Sequence, residues 1–512
     1  MERYYRNKNQ GKGLTIASRI LMFVQIAAMV LVAFYLKKQD ILPDMLYIVM
    51  IVVFALIVVF ECTLIMRRRF VKWKHIFSIV LSCILIAALL FVFFYMNNIY
   101  KKLESMVIPS VSSEQTEEVD EFGNVKTLTR EPIRITTTMD VFVRSADKYK
   151  DLQDLKGKIF GIMEVMDKEN TEAAVANISE QLGEPIQTSV QPGILGLTES
   201  LKNNKIDAII VNSGYETAIT DNDESFYGWA ELLCTVDAET EVKQEETTQA
   251  VATDVSVDPF IIYISGMDTR GDQIVADVGN SDVNILMAVN PNTHKVLLIN
   301  VPRDYYYYLW GDQNYPDKLT HSGYYGIDCG ISTLNSLFDT NINYYVRVGF
   351  NSVINIVDAL GGITVNSPYD FEIEGYSFHE GENYLDGISA LQFSRERMSL
   401  PGGDRARGAN QEEVISAIIS KMTSSELITN LDSVLDAVTN NVVTNFSVED
   451  MNSLIKLQLT DNPEWEVNKI AVDGTGDWQY CYSLGSANDV MIIDWSTVDA
   501  AKEQLTALMN GQ

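Results

Sequence analysis

Three predominantly apolar stretches, Leu14 to Leu36, Met45 to Met66 and Ile76 to Met96, open the chain. Each is about the 20 residues that a helix needs to cross the hydrocarbon core of a bilayer. Three crossings put the two ends of the chain on opposite sides of a membrane. Arg3, Arg6, Lys8 and Lys12 precede the first stretch, and Arg67, Arg68, Arg69, Lys72 and Lys74 fill the loop between the second and third, whereas only Lys37 and Lys38 follow the first. Positive charge stays in the cytoplasm, so the amino terminus is expected inside and everything after about Asn97 outside. Basic residues and two further spans after the first argue against a cleaved signal peptide. Arg19 and Glu61 lie within the spans near their cytoplasmic ends, where long side chains are expected to reach the headgroups rather than form a buried charge relay.

The exported remainder is polar, acidic and long enough for two ordinary cores. The whole chain has 69 Asp and Glu against 39 Lys and Arg, a formal net charge of -30. Affinity for a polyanion needs an excess of lysine and arginine spread over a face, so nucleic-acid binding is set aside. Texture divides the chain into a membrane anchor (1-100), a juxtamembrane stalk (101-131), a small accessory domain (132-236), an acidic linker (237-257) and a second exported domain (258-512). In the accessory domain, Ile159 to Met163 follows the turn DLKGK as a strand, Ile206 to Val211 reads as another, and Asn170 to Leu182 has helical spacing, which predicts an α/β fold. The pairing of LKGKIFGI with IDAIIVNSGY resembles the lobes of periplasmic solute-binding proteins. Two roles stay open for it: holding a small solute, or positioning the next domain. Of the exported cysteines Cys234, Cys329 and Cys481, the last two are expected to form a disulfide, because an outside location permits oxidation. No CxxC or HxxxH spacing suggests zinc.

The second exported domain begins with the strand-like run Phe260 to Ser265, after which Gly266 turns the chain so that Asp268 and Arg270 emerge at the strand's end. Val283 to Val289, preceded by Asp282, and Val296 to Val301, followed by Pro302, Arg303 and Asp304, are two more strands. Three strand ends thus present Asp268, Asp282 and Arg303 to one place, where ligands of α/β sheets tend to sit. Further on, Arg395, Arg397, Arg405 and Arg407 crowd into Ser394 to Gln411. Arginine meets phosphate oxygens two at a time and stays charged when a site closes off from water. The alternative is a solvated turn balancing Glu396 and Asp404. Val414 to Met422 continues as an amphipathic helix whose first turn carries Asn410 and Gln411, and its amino-terminal amides would add to the pull on an anion.

Carboxylates supply hard oxygen ligands for Mg²⁺, which normally shares its shell with substrate phosphates, and arginines neutralise charge on a leaving pyrophosphate. No Walker or kinase loop occurs. A phosphate donor already in the membrane, such as a polyprenyl pyrophosphate, fits better than ATP.

The motifs together resemble the LytR/CpsA/Psr family of bacterial cell-envelope proteins, the CpsA-like branch in particular. They are GMDTR at 266-270, SDVN at 281-284, PRD at 302-304, KLTHSGYYG at 318-326, NYYVRVGF through DALGGITV from 343 to 365, LDGISALQFSRER at 385-397 and GDRARGANQ at 403-411. The resemblance implies an α/β protein with three amino-terminal transmembrane helices, a small α/β accessory domain and an α/β/α layered catalytic domain. It implies a phosphotransferase that moves a glycopolymer, capsular or teichoic-acid-like, from an undecaprenyl-pyrophosphate carrier to peptidoglycan with Mg²⁺. By motif it places Asp268 and Asp282 at the metal and Arg303, Arg395, Arg397, Arg407 and Gln411 around the pyrophosphate. The catalytic set is Asp268, Asp282, Arg303, Arg395 and Arg397, with one aspartate as general base towards a muramic-acid hydroxyl.

The chain departs from the family pattern twice. Where many members have RSD it has Asn280-Ser281-Asp282, and where they have RQQ it has Asn410-Gln411-Glu412, each losing a positive charge that Arg270 or Arg405 is placed to supply. Asp304 is expected to support Arg303, and His321 to pack or hydrogen-bond rather than catalyse. Tyr305 to Tyr308 with Trp310 line a lipid entrance, contact the membrane interface or form a structural aromatic run. The competing function is a non-catalytic envelope sensor that binds a polyprenyl phosphate or small solute. The cytoplasmic segment ahead of Leu14 is too short for a DNA-binding domain, which weighs against direct transcriptional control.

Overall fold

The structure, a computed structural model, describes residues 2-65, 72-106, 117-119, 125-127, 134-163, 166-241, 253-267, 278-311, 316-424, 427-439 and 441-512. It divides into two compact units: Met1–Val107 with Asp254–Ser256 and Phe446–Glu464, and the rest of the chain.

The first unit is built on helices α1 (Glu2–Gln39), α2 (Asp44–Ile65) and α3 (Lys72–Met106), each long and apolar enough to cross a membrane. Phe23, Leu31, Phe34, Leu56 and Phe91 point outwards, as side chains facing lipid do. Ser18, Gln25, Glu61, His75, Ser78 and Ser82 point inwards. Ser18 Oγ lies 3.0 Å from His75 Nδ1, and Ser82 Oγ donates to Glu61 at 3.4 Å. Glu61 is therefore fully buried rather than snorkelling, because it lies on a helix face that packs against α3, where a hydroxyl can serve it. Arg19 is exposed on the outer surface of α1. A helix from much later in the chain, Val448–Asp461, joins this unit: Asn452 Nδ2 donates to Gln39 O at 3.0 Å, and Lys456 pairs with Asp40 at 3.0 Å.

The second unit holds two sheets. The accessory sheet has strands β1 (Arg134–Arg144), β2 (Ile159–Met163), β3 (Gln187–Gln191), β4 (Ala208–Asn212) and β5 (Ala230–Glu241), in the order β3-β2-β4-β1-β5. Strand β2 runs parallel to β3 and β4, with α4 (Lys168–Leu182) and α5 (Gly193–Lys202) as the crossovers. Phe160, Ile178 and Ile210 fill the core on one face and Phe142, Leu197 and Ile209 on the other. Strand β5 continues into the stretch whose composition reads as linker. Ala238 faces inwards there, as Val236 does just before it, and both pair against β1, an alternation that the Thr and Glu residues around them conceal.

The second sheet contains β6 (Phe260–Met267), β7 (Ser281–Asn290), β8 (Lys295–Asn300), β9 (Tyr344–Gly349), β10 (Val442–Thr444) and β11 (Glu466–Ala471), in the order β10-β9-β6-β7-β8-β11. Ile261, Tyr263, Leu297 and Ile299 pack against Leu334 and Leu337 of α6 (Ile327–Phe338) and Leu505 and Leu508 of α10 (Trp495–Met509). The other face carries α7 (Phe350–Ala359), α8 (Gly387–Arg395) and α9 (Asp404–Met422), which makes the layered α/β/α arrangement. A Cβ on Gly408 of α9 would come within 2.7 Å of Asn300 at the end of β8, so glycine lets that helix sit directly on the sheet.

Strands β12 (Gly474–Cys481) and β13 (Ser486–Ile493) form a separate hairpin whose turn meets the accessory domain. Ile194 and Leu195 amides donate to Ser483 O and Leu484 O, each at 3.2 Å, and Tyr215 OH donates to Tyr324 O at 3.0 Å. Cys329 and Cys481 are both free and buried, contrary to the expected disulfide. Each thiol fills its own packing site, Cys329 in the first turn of α6 and Cys481 against Leu484 and Val490.

Candidate active site

Strands β6 and β7 pair in regular antiparallel register until Gly266 opposes Val283, and then Met267 opposes Ser281. Asp282 is the extra residue of that bulge, which re-aims its carboxylate away from the ladder. Gly266 is required because a Cβ there would lie 2.7 Å from Val283. Beyond β8, Val301 still bonds to Asn284 O before Pro302 turns the chain and delivers Arg303. Arg303 Nη1 donates to Asp282 Oδ1 at 2.9 Å, and Thr320 Oγ1 donates to the same oxygen at 3.2 Å. The Thr320 amide also donates to Arg303 O at 2.8 Å, so guanidinium, carboxylate and hydroxyl hold one another in place.

Asp304 supports this group as expected. It lies 3.0 Å from Lys318 Nζ and 3.8 Å from Arg303 Nε. Burial acts to raise the Asp304 carboxyl, but Lys318 and Arg303 outweigh it and hold it below the usual carboxylate range. Burial likewise opposes charge on Arg303, and Asp282 and Asp304 more than reverse that, so its proton is held more firmly than in an ordinary arginine.

The second half of the site comes from α7 to α9. Asp386 caps α8 by accepting from the Ser389 amide at 2.9 Å, and the helix ends at Arg395, whose guanidinium lies 4.8 Å over the ring of Phe350. The chain then passes Arg397 and turns at Gly402 and Gly403, whose φ values of 103° and 56° favour glycine. Helix α9 starts at Asp404, six residues before Asn410, so its first turn carries Asp404 to Arg407 and its free amides are not beside Gln411 as expected. Arg407 and Gln411 are i and i+4 on this helix and share a face. Arg407 pairs with Asp404, and Gln411 Nε2 donates to Ser394 O at 3.4 Å. Burial and the nearby Arg303 charge lower the Arg407 pKa, with Asp404 and Asp282 partly compensating.

These pieces enclose a cleft of about 320 Å³ lined by Asp282, Arg303, Arg395, Arg397, Arg407 and Gln411 on its polar side. Met267, Val283, Val348, Phe350, Val353 and Leu391 make the apolar side. Four guanidiniums face one carboxylate among the described lining, an arrangement suited to a polyanionic group attached to a greasy one. Asp268 and Arg270 lie outside the described residues. Arg405 does not line the cleft: it is 59% exposed and pairs with Asp473 at 2.5 Å. Thr320 and Lys318 carry no individual signal in the sequence beyond membership of the KLTHSGYYG motif, and Phe350, whose spacing puts it on the core face of a helix, lies under Arg395 instead.

The model of the LytR_cpsA_psr family matches residues 229-505, more than half of the chain. This chain belongs to that family. The polyisoprenyl-teichoic acid–peptidoglycan teichoic acid transferase TagU of Bacillus licheniformis is 34% identical over 229 residues, 44% of this chain and 73% of that protein. TagU of Bacillus subtilis is 38% identical over 195 residues, 38% of this chain and 62% of its own length. The crystal structure of B. subtilis TagU covers 49% of this chain and 96% of its own, at 30% identity and a TM-score of 0.38.

Both departures from the LytR/CpsA/Psr pattern have local uses. Asn280 Oδ1 accepts from Tyr324 OH, and buried Asn410 donates through Nδ2 to Phe393 O at 3.0 Å. Glu412 is buried with its Oε1 unpartnered among the described residues, and burial pushes its carboxyl up to about 8. His321 is buried, stacks on Tyr324 and hydrogen-bonds Asp317, whose other oxygen accepts from the Ser483 amide and hydroxyl at 2.6 and 2.7 Å. Asp317, His321 and Cys481 bring possible ligand atoms within 4.8 Å of one another, but Asp317 is already satisfied on both oxygens. Tyr305 is buried with its hydroxyl on Asp473 O at 2.7 Å, and Tyr306 reaches Tyr480 O at 2.8 Å, so these two are structural.

Proposed function

We propose that the chain is a membrane-anchored phosphotransferase that moves a glycopolymer, teichoic-acid-like or capsular, from an undecaprenyl-pyrophosphate carrier to peptidoglycan on the outer face of the membrane. The observation that carries this reading is the cleft, where Arg303, Arg395, Arg397, Arg407 and Gln411 converge beside an apolar wall. The names of the TagU relatives, which describe polyisoprenyl-linked donors and peptidoglycan acceptors, support it. So does the balance of positive charge around the three spans, which is the pattern expected of a chain whose second unit lies outside.

An acceptor hydroxyl attacks the sugar-proximal phosphorus, a new P–O bond forms, and the bond to the second phosphate breaks to release undecaprenyl phosphate. The arginines neutralise the charge gathering on that leaving group, in a partly apolar cleft where such pairing is strong. Asp268 or Asp282 accepts the hydroxyl proton. Asp282 Oδ2 makes no hydrogen bond among the described residues, and a hard carboxylate oxygen beside a phosphate site fits Mg²⁺. Asp268 and Asp282 would hold that ion, which would supply further charge neutralisation at the pyrophosphate.

Replacing Arg395 or Arg397 by alanine is expected to lower polymer attachment to peptidoglycan by about 100-fold or more at unchanged thermal stability. Radiolabelled polymer transfer by purified protein measures it. Full transfer in both variants would remove the basis of the reading.

A further inference from the structure

We infer that the outer face of the β12–β13 hairpin is a binding site for a neutral polysaccharide strand. That this strand is the peptidoglycan acceptor rests on the transferase reading; that the face takes sugar does not. The hairpin alternates cleanly near its turn. Cys481 and Val490 point inwards and pack with Leu484, Leu195 and Tyr306. On the opposite face Trp478 is 65% exposed and Tyr480 is 52% exposed, two residues apart on one strand. Successive same-face residues of a strand lie roughly 7 Å apart, so both rings are held on one platform.

Across the ladder, Trp478 faces Asp489 and Tyr480 faces Ala487. Alanine leaves the tyrosine ring uncovered, and the aspartate puts hydroxyl-accepting oxygens beside the indole. Sugar rings present axial C–H groups to aromatic faces and hydroxyls to such a rim. The face is also firmly backed. Tyr306 OH holds Tyr480 O, the turn is pinned by the amides of Ile194 and Leu195, and Ser483 is bound to Asp317.

Charge selects the occupant. From Gly474 to Ile493 the chain has Asp477 and Asp489 and no lysine or arginine, which disfavours an anionic bilayer surface or a phosphate-rich polymer and leaves an uncharged polyhydroxyl chain. Position agrees. Asp473 and Gly474, at the root of the hairpin, both hold Arg405, two residues from Arg407 in the cleft wall. A strand lying along β12 therefore leads to the rim of the transfer site.

The test uses the full chain in zwitterionic nanodiscs and, as the probe, uncharged strands of N-acetylglucosamine oligomer. The double change Trp478→Ala with Tyr480→Ala is expected to weaken calorimetric binding of the strands by about ten-fold or more, while Trp478→Phe with Tyr480→Phe keeps most of it. Equal affinity in the wild type and the alanine variant would overturn the inference. So would quenching by brominated lipid that Trp478→Phe removes, with no response to glycan, which would give the face to the bilayer. Glycan affinity is read without turnover, so a failure here and a failure of transfer are separate results.

Discussion

Glu412 is one residue past Gln411 on α9, yet it points away from the cleft and is buried, close to the backbone of Asn300. Burial favours its protonated form, raising the folded-state value to about 8 from 4.5. The folded state therefore binds the extra proton between those values, and stability declines as pH rises through them. Glu412→Gln should flatten that decline and raise the melting temperature at pH 8 more than at pH 5; equal shifts at both pH values would show that the carboxyl is not the cause. At this scale the sequence exposed the residues whose chemistry is intrinsic. Arg303, Arg395, Arg397 and Arg407 stood out as guanidiniums in an acidic chain and Gln411 only through the family motif, and all five line one cleft. Thr320 and Lys318 stayed hidden, since their importance lies in which oxygen they reach rather than in what they are. The pairing of Cys329 with Cys481 was misread for the same reason, as compartment and count say nothing of packing.

Among the elements, the contact between α5 and the hairpin turn depends on two glycines at positive φ, Gly193 at 62° and Gly485 at 71°. A Cβ on Gly193 would come within 2.6 Å of the backbone of Leu484 and Gly485, where no side chain can move aside. Gly193→Ala is expected to destabilise the second unit by about 2 kcal/mol or more, from backbone strain and displacement together. Chemical unfolding of the solubilised chain measures it, and an unchanged midpoint would mean that the two surfaces do not need this close approach. Strands β6, β7 and β8 were legible because apolar runs of strand length end in Gly266, Asn290 and Pro302. The start of α9 was not, because Asp404 to Gly408 contains no apolar period, and the helix is fixed there by the glycine turn and by Gly408 resting on Asn300.

For the whole molecule, length and apolarity alone revealed three membrane helices, but not that Glu61 would be enclosed between them or that Val448–Asp461 would join them. Those are contacts between residues far apart in the chain, and no local pattern encodes them. On the proposed function, this acidic chain keeps its cationic, half-apolar cleft for a membrane-borne pyrophosphate. Mass spectrometry of lipids retained by the full chain on purification from its native membranes tests this most directly. A polyprenyl pyrophosphate or its glycopolymer conjugate is expected in the wild type, and its loss on changing Arg395→Ala together with Arg397→Ala. Absence of any such lipid from the wild type, or equal retention by the double variant, would contradict it.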